Sequence, residues 1–97
     1  MTVTDLNNQR IRRVVETFMS RAQNGTTNDL LYWASKKLGA FTTRMSTFSA
    51  HDAHRLLMAA AEEVGYVARD SREMAEDTVL SGLTEGVNDP EGVLADE

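Results

Sequence analysis

Two histidines have the clearest potential for metal chemistry in this chain. His51 and His54 are three positions apart, so on a helix their side chains share one face. Such a pair binds a metal when a carboxylate from elsewhere completes the coordination shell. The sequence contains no cysteine and no further cluster of histidines to supply the remaining ligands. Asp52 is better explained as a helix-capping residue, so we expect ordinary histidines, no metal site and no cofactor.

Other patterns that would support catalysis are weak. A nucleophilic serine is usually exposed by a sharp turn between a strand and a helix, and the sequence predicts no strand. Glu62 and Glu63 are adjacent and lie about 100° apart around a helix, so they do not face each other as an acid and base pair. The sequence has no glycine-rich loop of the kind that holds phosphate. We therefore expect a protein that is not an enzyme and that acts by binding.

A more informative pattern combines two aromatic residues with two lysines. Tyr32 precedes Lys36 by four positions and Trp33 precedes Lys37 by four, so each pair is one helical turn apart. An aromatic and cationic face suits a protein-binding hot spot, or a nucleic-acid backbone with stacked bases. The alternative is that Trp33 packs against another helix while the lysines stay solvated. The predicted partner-binding residues are Tyr32, Trp33, Lys36, Lys37, Arg13 and Arg44.

The charge is distributed unevenly along the chain. The 97 residues contain 10 Lys and Arg and 15 Asp and Glu, for a net charge of −5. Residues 1–72 hold all ten bases and sum to +3, whereas residues 73–97 hold eight acids and no base and sum to −8. An acidic C-terminal stretch of this kind is typical of an interaction tail or of a solubilising one. It could also contact the basic N-terminal half and screen it until a polyanion competes.

Helices must position these residues, because apolar side chains recur at three- and four-residue steps from Ile11 to Leu83. The pair Asn24-Gly25 tolerates the left-handed conformation of a helix C-cap and should end the first helix. The second helix should begin within residues 27–29, where polar side chains supply a cap. Threonines and serines in residues 42–49 predict a break after it.

The third helix has the clearest start, since Ser49 followed by Asp52 is a variant of the capping box. Its many alanines favour close packing, within the chain or in a homodimer. Residues 71–83 are either a fourth helix or a continuation of the third, and the sequence leaves both open. The predicted fold is all-α: a small three- or four-helix bundle over residues 1–84 with a disordered, flexible acidic tail over residues 85–97.

A helix-turn-helix would connect these helices to nucleic acid. Residues 60–66 resemble its first helix and turn, which would make residues 69–77 the recognition helix. Arg69 and Arg72 could contact phosphates, but the four acidic residues in the same segment would repel the phosphates. The leading hypothesis is therefore a self-associating protein-interaction module, such as a regulator, inhibitor or assembly adaptor. The alternative is a nucleic-acid-associated helical protein that uses its basic patch and is modulated by its acidic tail.

Length and composition also bear on partners and location. A chain of 97 residues is expected to form one domain, and its small size makes a homodimer a reasonable default. Residues 1–5 lack the apolar run of a signal peptide, and no stretch has the roughly 20 apolar residues of a membrane span. We expect a cytoplasmic protein with a protein partner and no membrane contact. Small accessory proteins of phages and mobile elements commonly have these properties.

Overall fold

The protein is all-α in a computed structural model, which describes residues 3–22, 27–67 and 71–95. Within these ranges the helices are α1 (Val3–Arg21), α2 (Thr27–Thr42), α3 (Ala50–Glu63), α4 (Arg72–Asn88) and α5 (Pro90–Val93). No strand occurs in the described ranges, and the predicted fold class, a small all-α bundle, is confirmed. None of the helices found there is both long and apolar enough to cross a membrane.

One core lies between the four long helices, on the apolar stripes that the sequence predicts. Its largest fully buried apolar and aromatic side chains are Phe18, Leu31, Leu38, Phe41, Leu57, Tyr66 and Val79. Each helix contributes residues spaced by three, four or seven positions, because that spacing keeps side chains on one side of a helix. The predicted C-cap at Asn24-Gly25 lies outside the described residues.

The most extensive contact in the bundle is between α2 and α4, whose backbones meet at three glycines. A Cβ atom added to Gly39 would lie 2.5 Å from the carbonyl oxygen of Leu83. At Gly86 it would lie 2.7 Å from the backbone nitrogen of Ala40, and at Gly82 it would meet the Ser35 side chain and lie 2.9 Å from the carbonyl oxygen of Tyr32. Only glycine allows the two helices to approach to this distance. We call Gly39, Gly82 and Gly86 the glycine seam.

The start of α3 is the predicted capping box. The Ser49 hydroxyl accepts a hydrogen bond from the backbone nitrogen of Asp52 at 3.1 Å, and the Asp52 carboxylate accepts one from the backbone nitrogen of Ser49 at 3.0 Å. At the other end, α3 stops at Glu63 and Gly65 adopts a φ of +86°. This left-handed turn separates α3 from α4, which settles the question that the sequence left open.

The C-terminal segment is where the structure differs from the predicted disordered tail. Helix α4 continues to Asn88, and the Asp89 side chain accepts a hydrogen bond from the backbone nitrogen of Gly92 and caps α5. Leu94 is 4% exposed and belongs to the core. The prediction of a disordered tail over residues 85–97 is wrong here, because an Asp before a Pro, as at Asp89 and Pro90, starts a helix. Asp96 and Glu97, the last residues of the predicted tail, lie outside the described ranges.

Candidate protein-binding surfaces

The structure brings together four of the six predicted partner-binding residues. Tyr32, Trp33, Lys36 and Lys37 lie on the side of α2 that meets the C-terminal part of the chain, and we call them the α2 face. The other two lie exposed, Arg13 on α1 and Arg44 just after α2, and neither lines the hollow that adjoins the α2 face. The predicted surface is therefore smaller in the structure and is centred on one helix.

Lys37 is not the solvated residue that its position on a polar helix face suggests. Its side chain is 5% exposed, and its Nζ atom donates a hydrogen bond to the carbonyl oxygen of Val93 at 2.9 Å. Val93 is the last residue of α5, where backbone carbonyls lack helical partners and carry partial negative charge. Lys37 therefore binds the C-terminal end of α5.

Tyr32 and Lys36 form the second half of the α2 face. The Tyr32 hydroxyl donates a hydrogen bond to the Glu85 carboxylate, and the Lys36 ammonium lies 5.2 Å from the centre of the Tyr32 ring. The hydrogen bond to Glu85, together with desolvation and the charge of Glu85, raises the pKa of Tyr32. Glu85 thus contacts Tyr32, and Glu85 and Asp89 line the same hollow as Lys36 and Lys37.

A hollow of about 490 Å³ remains between the α2 face and the chain that follows α4. Its lining includes Trp33, Lys36, Lys37, Glu85, Asp89 and Val93. Trp33 is partly buried and packs against the core, so the packing alternative and the surface alternative each describe part of its environment. The hollow has charged groups of both signs, which suits a polar and apolar protein segment better than a purely anionic ligand.

Sequence reasoning missed a second surface, an apolar groove of about 530 Å³ between α3 and α4. We call it the α3–α4 groove, and its lining includes Ala50, His51, His54, Leu80, Leu83 and Val87. Leu80 is 49% exposed and Val87 is 43% exposed. Large apolar side chains with this exposure in a continuous groove are typical of interaction sites.

The groove exists because α4 turns its glycines toward α2. Packing at the glycine seam leaves Leu80 and Val87 exposed on α4, and the buried Leu83 lines the groove between them. These residues follow one another at steps of three and four positions and form one stripe. Leu80 and Val87 fall off the buried stripe that periodicity predicts, and that departure is the sequence signal that could have revealed the groove.

His54 closes one end of the groove. Its Nε2 atom lies 3.5 Å from Oε1 of Glu76, which is ion-pair distance without hydrogen-bond geometry, and Nε2 is buried with no hydrogen-bond partner among the described residues. His51 lies nearby at the groove lining. In the same part of the chain, no group of three His, Cys, Asp or Glu side chains is arranged to hold a metal ion.

Residues 72–77 of the predicted recognition helix form the start of α4. Arg72, one of its two arginines, pairs with Glu62 at 3.0 Å from Nη1 to Oε1. Its charge is therefore directed at α3, and Arg69 lies outside the described residues. Nucleic-acid binding stays a prediction.

Comparison of the chain with models of protein families, with curated proteins and with solved structures finds no match. Function is therefore inferred from the surfaces themselves.

Proposed function

We propose that this protein is a non-enzymatic protein-interaction module that binds an amphipathic helix of its partner in the α3–α4 groove. The observation that carries the proposal is the exposed apolar stripe of α4 beside the first turn of α3. Leu80 and Val87 are about half exposed although both belong to a stable, capped helix. Covering such side chains favours association by about 25 cal/mol per Å² of apolar area removed from water.

The shape of the groove favours a helical occupant. The stripe from Leu80 to Val87 is two helical turns long, or roughly 10 Å at about 1.5 Å per residue. A partner helix that presents apolar side chains at positions i, i+4 and i+7 can place them along such a stripe. Ala50 also lines the groove, and its small side chain leaves room for the apolar side chains of the partner helix.

The charges near the groove indicate the polar residues of the partner. Glu76 lines the groove beside His54, and Glu73 and Asp77 lie with it in the first two turns of α4. The single base of α4, Arg72, pairs with Glu62 instead of with these acids. We therefore infer a partner helix with Lys or Arg beside its apolar anchors at this end, since complementary charges orient a bound helix.

The test is a nuclear magnetic resonance titration with a synthetic amphipathic peptide. The peptide has about 15 residues, with leucines at i, i+4 and i+7 and lysines at one end, a length at which an isolated helix is marginally stable. The expected result is a set of shift changes at Leu80, Leu83 and Val87. A scrambled peptide of the same composition serves as the control. Equal binding of the scrambled peptide, or changes confined to other surfaces, would contradict the proposal.

A pair of variants makes the titration specific to the groove. Leu80→Ser with Val87→Ser removes the apolar anchors and should weaken binding by at least about tenfold, the effect of about 1.4 kcal/mol. Met74→Ser is the matched control, because Met74 is 53% exposed on the same helix and does not line the groove. Equal weakening by both changes would show that binding is not in the groove. Groove shifts that depend on protein concentration alone would identify a second copy of the chain as the occupant.

A further inference from the structure

We propose that the α2 face is a second binding surface, masked in cis by residues 89–95, and that it takes a short acidic helical segment of a partner protein. This surface is separate from the α3–α4 groove and does not depend on it. Residues 89–95, which we call the cis segment, occupy the surface in the structure and show which chemistry it accepts. A partner segment of the same chemistry replaces them.

The α2 face offers three kinds of contact to a ligand. Lys37 presents a buried ammonium to a backbone carbonyl at a helix C-terminus, and that carbonyl is available at the end of any short helix. Lys36 is held by the Tyr32 ring and lines the hollow beside Asp89. Trp33 supplies an apolar wall. The face therefore recognises a helix end, a negative charge and an apolar side chain together.

The cis segment carries groups that match these contacts. It begins with Asp89, whose side chain caps a single helical turn, and it contains the acid Glu91. It ends with Val93, whose carbonyl accepts the bond from Lys37, and Leu94, which is 4% exposed. A partner segment needs the same features in the same order: an acid at the start of a helical turn, a free carbonyl at its end and an apolar residue after it.

The cis segment can leave the α2 face without unfolding the bundle. Its helix has four residues, and an isolated helix of that length is unstable in water. Asp89, with φ of −139° and ψ of 61°, interrupts the helix and joins the segment to α4 at one non-helical residue. The hollow of about 490 Å³ shows that the segment covers the α2 face incompletely. By contrast, the glycine seam fixes α4 on α2.

Masking in cis sets the expected size of the effect. The apparent affinity of the α2 face for a partner is reduced by the fraction of molecules in which the cis segment is displaced. A minor state of this kind is commonly populated at about 10% or less. A change that releases the cis segment should therefore strengthen binding of the partner by at least about tenfold.

The experiment uses the full chain and a labelled peptide with the sequence of residues 88–95, followed by fluorescence anisotropy. Leu94→Ser removes the apolar anchor of the cis segment and leaves the α2 face intact. We expect this variant to bind the peptide at least about tenfold more tightly than the wild-type chain. Leu56→Ser is the matched control, because Leu56 is 38% exposed on α3 and does not line the hollow at the α2 face, and it should bind as the wild type does. Equal binding by wild type and Leu94→Ser would overturn the proposal.

Further variants assign the binding to the α2 face. Adding Lys37→Met to Leu94→Ser should abolish binding, and a peptide with serines in place of its valine and leucine should not bind the released chain. Trp33 is the single tryptophan, and its emission should shift to longer wavelength in Leu94→Ser and return when the peptide is added. Retained binding after Lys37→Met, or binding of the serine peptide, would overturn the proposal.

Two other outcomes would also contradict it. Loss of the helical circular dichroism signal in Leu94→Ser would show that the cis segment is an essential part of the core. Binding of a single-stranded oligonucleotide by Leu94→Ser without binding of the peptide would identify a nucleic acid, not an acidic protein segment, as the ligand of the α2 face.

Discussion

Tyr66 donates a hydrogen bond from its hydroxyl to Oδ1 of Asn28 at 2.8 Å, although the two residues are 38 positions apart. The same oxygen accepts a second bond from the hydroxyl of Thr78 at 2.7 Å. Asn28 thereby joins the first turn of α2 to the chain after α3 and to α4. Tyr66 is 1% exposed, so its hydroxyl has no ready replacement for this acceptor.

Replacing Asn28 should destabilise the fold more than replacing Tyr66. Asn28→Ala leaves the Tyr66 hydroxyl without its acceptor and should cost about 1–3 kcal/mol, whereas Tyr66→Phe leaves Asn28 bonded to Thr78 and should cost about 1 kcal/mol. Urea unfolding measures both, and Asn8→Ala on the exposed side of α1 is the control. An unfolding midpoint of Asn28→Ala equal to that of the control would contradict the role of this junction.

The glycine seam makes a sharper prediction about packing. Gly86→Ala places a methyl group against the backbone of α2 and should lower the free energy of unfolding by about 1–3 kcal/mol or more, because neither backbone can move aside easily. Ser81→Ala on the exposed side of α4 is the matched control and should be neutral or slightly stabilising, since alanine favours helix. Thermal melts of the two variants should therefore move in different directions. Equal melting temperatures would mean that the helices are not in close contact.

The contact between Tyr32 and Glu85 predicts how the tyrosine titrates. The hydrogen bond to Glu85 raises the pKa of Tyr32, so Glu85→Gln should lower that pKa toward the ordinary value of about 10. A raised pKa means that the folded state holds its proton more tightly than the unfolded state. The stabilisation is complete below the unfolded pKa and is lost as the pH rises through the folded one. Tyrosinate absorbance, with Tyr32→Phe subtracted to isolate this residue, measures the shift; an unchanged titration in Glu85→Gln would argue against the contact.

The α3 capping box predicts sensitivity to acid. Ser49→Ala removes one of two reciprocal bonds and should cost about 1 kcal/mol, and Ser46→Ala in the preceding turn is the control. Bonds from the backbone and side chain of Ser49 lower the pKa of Asp52. The stability that ionised Asp52 contributes is therefore fully present above the pKa of the unfolded state. It is lost as the pH falls through the pKa of the folded state. The stability difference between wild type and Asp52→Asn should vanish in acid, and a difference that persists there would be inconsistent with the cap.

Local signals in the sequence predicted the parts of the fold that local physics decides. The stripe through Val14 and Phe18 and the cap at Ser49 depend only on residues within one or two helical turns. The same reasoning placed Tyr32, Trp33, Lys36 and Lys37 on one helix face. What it could not give is what covers that face, because the cover comes from residues more than 50 positions away.

The features that sequence reasoning missed depend on how two helices meet. Gly39 reads locally as a weak point in a helix, and only its position opposite Leu83 explains why a glycine is there. Asp89 and Pro90 signal a turn and a helix start equally well, and the burial of Leu94 decides between them. Leu80 lines a groove, and the contact between α4 and α2 determines which side of α4 faces that groove.

The packing of α2 into the bundle depends on residues that are synthesised much later than α2 itself. Its contacts to Thr78, Glu85 and Val93 span 50, 53 and 56 positions, so the bundle is rich in non-local pairings. Such pairings slow folding, because a long loop must close before any contact forms. During synthesis, α2 leaves the ribosome with its seam bare and its lysines uncovered until Leu94 has followed. Over that interval the nascent chain presents to chaperones and neighbouring chains the side of α2 that α4 and the cis segment later cover.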